Sequence, residues 1–359
     1  KLVNDIKNAR DDKSSSTEKM AQKLAENGIL PMYGMPSSNT SLYHGFDNVD
    51  SKNEISSIQR DNITALTQFA PETQRTKDKK IYRSIGFVQN LFINNERGKS
   101  IRGGGKIFNE EKITYLCKEC NFFECKDISS NPNHDECPEC GCEDNNKFIT
   151  STLKQPNNFI ADIEEIDDKK DSKPTTTSAI TYLEGVGDLS ESSEINIETV
   201  FKDGKSTRSW TINNNNGKLF RGMQFSENSP YRNYIGRNYK QWLTNIPEDQ
   251  EDDSRIEEIA IGYSKYSDYL FLSPQKISDG IIKFPRTLDP NHQISNKDDF
   301  NYSILGHQGV RATFYSCAFL LRKAFTFDID IDIDEIEFIN YSIINKKPQF
   351  KFGDSLPNG

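Results

Sequence analysis

A chain of 359 residues carrying 45 Lys+Arg against 54 Asp+Glu has a net charge of -9, so any concentrated basic window stands out against an acidic background. The longest strongly apolar runs, such as Cys317 to Leu321, fall far short of the ~20 residues a membrane helix needs, and no basic-plus-apolar leader opens the sequence. Mean hydropathy is low, but 22 Phe and 14 Tyr supply enough large apolar surface to exclude wholesale disorder, so two or three folded units of a soluble, cytoplasmic protein are expected.

In chain order, Thr17 to Gly28 places Met20, Leu24 and alanines on one helical face before an Asn27-Gly28 cap, and Ile29 to Pro36 reads as a buried extended stretch. Ile58 to Phe69 is a second amphipathic segment, and Ile81 to Val88 is a strand candidate. Between Arg75 and Lys106 nine basic residues face only Asp78 and Glu96, a local charge of +7 that predicts an anion-facing surface. A linker is expected over Asp162 to Asp171. Thr177 to Gln224 reads as β-rich, with hairpin signals at Asp203-Gly204 and Asn213 to Gly217. Glu248 to Asp253 is an acidic loop, Ile256 to Leu272 has strand character, and Tyr302 to Phe325 has the three-to-four spacing of an amphipathic helix. Phe327 to Asp334 then alternates Ile or Phe with Asp, the period of a half-buried strand with its carboxylates spread along a solvated face.

The sharpest local signal is a pair of Cys-x-x-Cys knuckles, Cys117-Lys-Glu-Cys120 and Cys137-Pro-Glu-Cys140, separated by sixteen residues. Each knuckle aims two thiolates at one point, and two knuckles complete the tetrahedral sulfur set that Zn2+ accepts. Seven cysteines, an odd number, with no secretion leader argue against disulfides. Four protein ligands leave no open position for water, so the expected metal is structural; Cys125, Cys142 and His134 stand nearby as weaker candidates, and Cys317 reads as a small core residue.

Gly98-Lys-Ser100 and Gly103-Gly-Gly-Lys106 lack the spacing of a Walker loop and read instead as a flexible basic loop suited to phosphate contact. Lys79, Lys80, Arg83, Arg97, Lys99, Arg102 and Lys106 are the first candidates for such contacts. In Tyr231 to Trp242, Arg232, Tyr234, Arg237 and Tyr239 interleave rings with cations, which fits either a single-strand binding surface or an aromatic core edge with solvated basic neighbours. No hydrolase triad and no carboxylate-histidine cluster of nuclease spacing is present in the sequence.

Several segments, in order, resemble one family: Ala25 to Pro36 with Leu42-Tyr-His-Gly45, Ile58-Gln-Arg-Asp61 with Gln68 to Pro71, Lys79 to Phe87, the two knuckles, Trp210 to Asn213 with Asn216 to Phe220, Ser267-Asp268, Ala318 to Ala324 with Asp330 to Ile336, and Asp354 to Gly359. They are similar to the helicase-associated C-terminal domain found in the helicase subunit of DISARM anti-phage systems and in related DNA-repair superfamily-two helicases with a zinc-binding tail. Ser267 departs from an expected Thr, and Cys125 and Cys142 are additional. The resemblance implies an ATP-dependent DNA helicase or translocase whose ATP-binding motor lobes lie upstream of Lys1, and a glycine-rich continuation beyond Gly359.

The expected fold is α+β: a β-rich accessory region with a zinc-ribbon insertion and a long amphipathic helix near the C-terminus. The expected units are 1–70, a segment following the motor; 71–160, a basic strand region with the ribbon at 117–142; and 161–359, a mixed domain. The expected partners are DNA, the motor lobes in cis or a motor subunit in trans, and a protein of a defence complex; the alternative is an interaction subunit with no motor of its own.

Overall fold

The computed structural model describes residues 39–44, 55–94, 100–129, 134–162, 166–167, 176–183, 195–199, 207–225, 239–244, 255–267, 269–274, 308–344 and 347–355. The expectations for Thr17 to Gly28, Ile29 to Pro36, Asp203-Gly204 and Glu248 to Asp253 lie outside them. Chain order opens with β1 (Asn39–Tyr43), β2 (Ser57–Asp61), helix α1 (Asn62–Gln68), β3 (Gln74–Lys77), β4 (Lys80–Val88), β5 (Asn90–Asn94) and β6 (Ser100–Gly104). It continues with β7 (Phe108–Cys117), β8 (Phe123–Asp127), β9 (Phe148–Pro156), β10 (Asn158–Ala161), β11 (Ile166–Asp167), β12 (Ile180–Leu183), β13 (Ile195–Thr199) and β14 (Thr207–Asn213). The remainder is β15 (Phe220–Phe225), β16 (Gln241–Leu243), β17 (Ile256–Ser267), β18 (Tyr269–Pro274), helix α2 (Gln308–Ile329), β19 (Ile336–Ile344) and β20 (Lys347–Asp354). The fold is mixed and strand-dominated, and no described helix is long and apolar enough to cross a membrane.

One large sheet runs β2-β1-β10-β4-β16-β15-β17-β9-β7-β8, with β12 and β14 joined through β17 and with β3 and β11 on β4. Its core is aromatic. Phe87, Phe159, Phe69, Phe108 and Trp242 pack as one cluster, with Phe87 5.3 Å from both Phe159 and Trp242 between ring centroids. This is where the chain places the apolar surface its low aliphatic content withholds elsewhere. A second sheet, β13-β18-β20-β19, lies under α2, whose Phe314 and Phe325 rings meet Tyr341 and Phe352 at 5.5 and 5.8 Å. Lys265 of β17 pairs with Glu337 of β19 at 2.9 Å and ties the two sheets.

Several local expectations change. The segment Ile58 to Phe69 splits at Asp61, whose carboxylate caps α1 by accepting from Thr64 N–H at 2.9 Å, leaving a strand before it and a helix after it. Asn213 to Gly217 forms a corner rather than a hairpin. The Asn213 amide donates to Leu66 O at 2.6 Å and Thr177 Oγ1 at 2.9 Å, so β14 stops there, and β14 and β15 each pair with successive parts of β17 instead of with each other. Ile256 to Leu272 is two strands in different sheets.

Phe327 to Asp334 is not a strand. Helix α2 continues to Ile329, Asp330 takes φ +54°, and Ile331 N–H donates to Thr326 O at 3.1 Å, the six-to-one bond of a Schellman end. A short 3-10 turn over Ile333–Glu335 follows, capped by the Asp332 carboxylate. Propagating a helix already nucleated by Phe314, Ala318, Leu321 and Phe325 against the second sheet outweighs the period-two signal.

Lys351 is only 4% exposed in the middle of β20, and burial pushes its ammonium down to about 8, partly opposed by the charges of Cys120 and Glu139. The unfolded chain therefore binds more proton between about 8 and the ordinary lysine value near 10.4, so stability rises with pH across that window, and below it the penalty is present in full.

Candidate metal centre

The first knuckle is the turn between β7 and β8. Cys117 ends β7, its N–H donates to Phe122 O at 2.9 Å, and Asn121 sits at φ +57°, a left-handed position that Asn tolerates. The second knuckle repeats the same turn: Cys137 N–H donates to Cys142 O at 3.0 Å, and Gly141 takes φ +67°. In each, the residue after the second cysteine reverses the chain so that both thiols of the pair point inward.

The two knuckles are brought together by their flanks. Cys117 is opposite Phe148 in the β7–β9 register, Lys118 N–H donates to Lys147 O at 2.8 Å, and Lys147 pairs with Glu119 at 2.7 Å. The sulfurs of Cys117, Cys120, Cys137 and Cys140 then all lie within 4.8 Å of one another. Cys117 and Cys140 approach to 3.6 Å, as do Cys120 and Cys137. A zinc ion with four bonds of about 2.3 Å needs sulfurs about 3.8 Å apart, whereas a disulfide needs about 2 Å, so the spacing fits a tetrahedral metal.

Cys117 is held well below the usual thiol range, first by the hydrogen bond from Cys120 and then by those from Cys137 and Cys140, and Cys120 is pushed up with its bond to Cys117 as the largest cause. Four thiols packed this closely suit a divalent cation, which takes each cysteine as the thiolate.

Cys125, on β8, is buried in a different apolar cluster beside Phe123 and Trp210 and stands outside the sulfur group. Cys142 gives its carbonyl to Cys137, and the His134 ring is engaged with Glu124 at 2.9 Å and lies edge-on to Tyr115, so neither joins the four. Cys317 is exposed on α2 rather than in the core.

Comparison of the chain with protein-family models, curated proteins and solved structures finds no match in any of the three. The reading of the centre therefore rests on its own geometry.

The proposed phosphate contacts fare unevenly. Lys79 and Lys80 are exposed at the β3–β4 turn, and Arg102 and Lys106 are exposed on and just after β6. Arg83 is half-buried and neutralised by Asp162 at 2.9 Å, with Glu72 at 3.7 Å, which removes it as a free cation. The Gly103 segment is a strand paired with β5, not a flexible loop; a Cβ at Gly103 would collide with Tyr239 and Gln89, so this glycine serves close packing.

Tyr239 is 2% exposed in the cluster with Val88, Met223 and Phe225, so its ring offers no face to a base. Its place is the aromatic core edge, the second of the two readings of that segment. Arg97, Lys99, Arg232, Tyr234 and Arg237 lie outside the described residues.

One residue of the centre has no motif to announce it. Asn121 donates its side-chain amide to Tyr341 O of β19 at 2.9 Å, which fastens the first knuckle to the second sheet. Its only trace in the sequence is an Asn directly after a knuckle.

Proposed function

We propose that this chain is the non-motor C-terminal region of an ATP-dependent DNA helicase or translocase acting in anti-phage defence or DNA repair. A structural zinc ion held by Cys117, Cys120, Cys137 and Cys140 braces a DNA-contacting surface, and ATP is hydrolysed by motor lobes in cis or in a partner subunit. The observation that carries the metal part is the convergence of the four sulfurs within 4.8 Å. With every coordination position filled by protein, zinc here activates no water and supplies folding energy instead. The DNA part rests on the exposed Lys79, Lys80, Arg102 and Lys106 inside a +7 window of an otherwise acidic chain, and on the ordered series of segments similar to the helicase-associated domain.

Cations on a surface neutralise phosphates and release counterions, so binding to random DNA should weaken steeply with salt. Changing Lys79, Lys80, Arg102 and Lys106 together to Glu is expected to lower affinity for random-sequence DNA by about tenfold or more and to flatten the salt dependence. Unchanged affinity and slope in electrophoretic or anisotropy titrations would show that DNA lies elsewhere or nowhere on the chain.

The second reading, an interaction subunit without its own motor, is favoured by one specific observation: large apolar side chains left exposed at the end of α2.

A further inference from the structure

Arg60, Arg75 and Lys77 close on one corner of the large sheet. Arg75 and Lys77 lie two apart on β3 and so share a face, each opposite a residue of β4, Tyr82 and Lys80. Lys77 reaches β2 by donating from Nζ to Ser57 O at 3.0 Å. Three residues further along β2, the Arg60 guanidinium donates to Gln59 O at 2.8 Å through Nη1 and to Gln68 Oε1 at 3.1 Å through Nε. The Gln68 carbonyl accepts the Thr73 hydroxyl at 2.8 Å, which fastens the support of Arg60 to the residue before β3.

Arg75 is half-buried. Its Nη1 donates to Gln74 O at 3.0 Å, and its Nε is buried with no hydrogen-bond partner among the described residues. Burial first, and then the charge of Arg60, hold its guanidinium below the ordinary value, yet an arginine stays protonated, so the folded chain bears that repulsion. Elsewhere the chain neutralises its shielded cations: Lys154, Arg208 and Lys265 each hold a glutamate. Among the described residues no carboxylate pairs with Arg60, Arg75 or Lys77. Asp61 accepts from Thr64 N–H, Glu72 lies against Arg83, and Asp78 sits in the exposed turn past Lys77.

Two guanidiniums anchored on carbonyl oxygens, with a terminal nitrogen of each left over and an ammonium beside them, match a compact oxyanion that can accept several charge-assisted bonds at once. We infer that Arg60 and Arg75, flanked by Lys77, form a seat for one phosphate group. The group comes either from a free phosphate compound or from a nucleic-acid backbone, and its charge relieves the repulsion between the arginines. The seat uses none of the residues given to DNA above, so it is tested separately from that reading.

The test follows thermal unfolding of the full zinc-loaded chain at low ionic strength against inorganic phosphate, with sodium chloride of equal ionic strength as reference. Phosphate is expected to raise Tm saturably by about 2 to 5 °C, and chloride to give no such saturable rise. Arg60→Gln combined with Arg75→Gln should weaken the apparent phosphate affinity by about tenfold or more. Without phosphate, that chain should melt no lower than the unmodified one, because a repulsion has been removed. Arg75→Lys, which keeps the charge and loses the planar fork, should also bind phosphate more weakly.

Anisotropy with a labelled single-stranded oligonucleotide distinguishes the two sources. Oligonucleotide affinity lost together with the phosphate response in the double variant assigns the seat to a nucleic-acid backbone; a lost phosphate response with unchanged oligonucleotide affinity assigns it to a free phosphate compound. Changing Lys79, Lys80, Arg102 and Lys106 should leave the phosphate response in place, so failure of the DNA reading leaves the seat standing. Three results overturn the seat: no saturable rise with phosphate, an equal rise in the Arg60→Gln, Arg75→Gln chain, or a fall in Tm of that chain without phosphate, which would make the guanidiniums structural.

Discussion

One zinc ion per chain is the expected stoichiometry by elemental analysis, and Cys120→Ser is expected to abolish it. Cys120 is fully buried, shares its thiol with three other sulfurs, and lies in the apolar cluster that also holds Phe148 of the large sheet and Tyr341, Phe350 and Phe352 of the second. Structural zinc contributes about 10 to 16 kcal/mol of apparent binding energy at pH 7. That exceeds or matches the total stability of about 5 to 15 kcal/mol of an ordinary domain. Loss of the metal should therefore unfold the knuckles and the adjoining ends of β7 and β9, and through Asn121 loosen β19. Hydrogen exchange should report this as lost protection in those strands. Because the ligands must be thiolates, lowering the pH should release the metal. Cys125→Ser and Cys142→Ser should both retain the ion. A Cys120→Ser chain that still holds one equivalent of zinc, or a Cys142→Ser chain that loses it, would falsify the four-sulfur assignment.

The knuckles were legible because their chemistry is local: a Cys-x-x-Cys turn closes on itself, and only the meeting of two turns depends on the fold. That meeting is made by the β7–β9 register, which no spacing rule encodes. The strand over Ile81 to Val88 was legible for the same reason, since its apolar residues are buried on both faces in the middle of the large sheet. The Phe327 to Asp334 ladder was misread because period two speaks only of which residues alternate. It carries no information about a helix arriving from upstream with its own packing partners. Tyr239 and Arg83 show the same limit from the other side. A ring or a guanidinium in a basic segment looks available until long-range pairing brings Gly103 over the one and Asp162 against the other.

Trp242→Ala is expected to cost about 3 to 5 kcal/mol, a large share of the roughly 5 to 15 kcal/mol that holds an ordinary domain. Trp242 is fully buried on β16, opposite Phe87 of β4 on one side and Gln224 of β15 on the other, with Phe108 6.4 Å away between centroids. Its indole N–H has no hydrogen-bond partner among the described residues, so the cost is cavity and lost contact rather than a broken polar bond. Gly222 on β15 lies under the same ring: a Cβ there would overlap the Trp242 six-membered ring and Leu243 O. Gly222→Ala alone should therefore destabilise by about 1 to 3 kcal/mol through overpacking. Combined with Trp242→Ala, the added methyl group enters the space the indole leaves, though its clash with the Leu243 carbonyl persists. The two costs should fall short of additive by about 1 kcal/mol in a denaturant double-mutant cycle. Strict additivity would mean that the carbonyl, not the ring, sets the limit on residue 222, and that β15 is held at its present distance from β16 by backbone pairing rather than by the tryptophan.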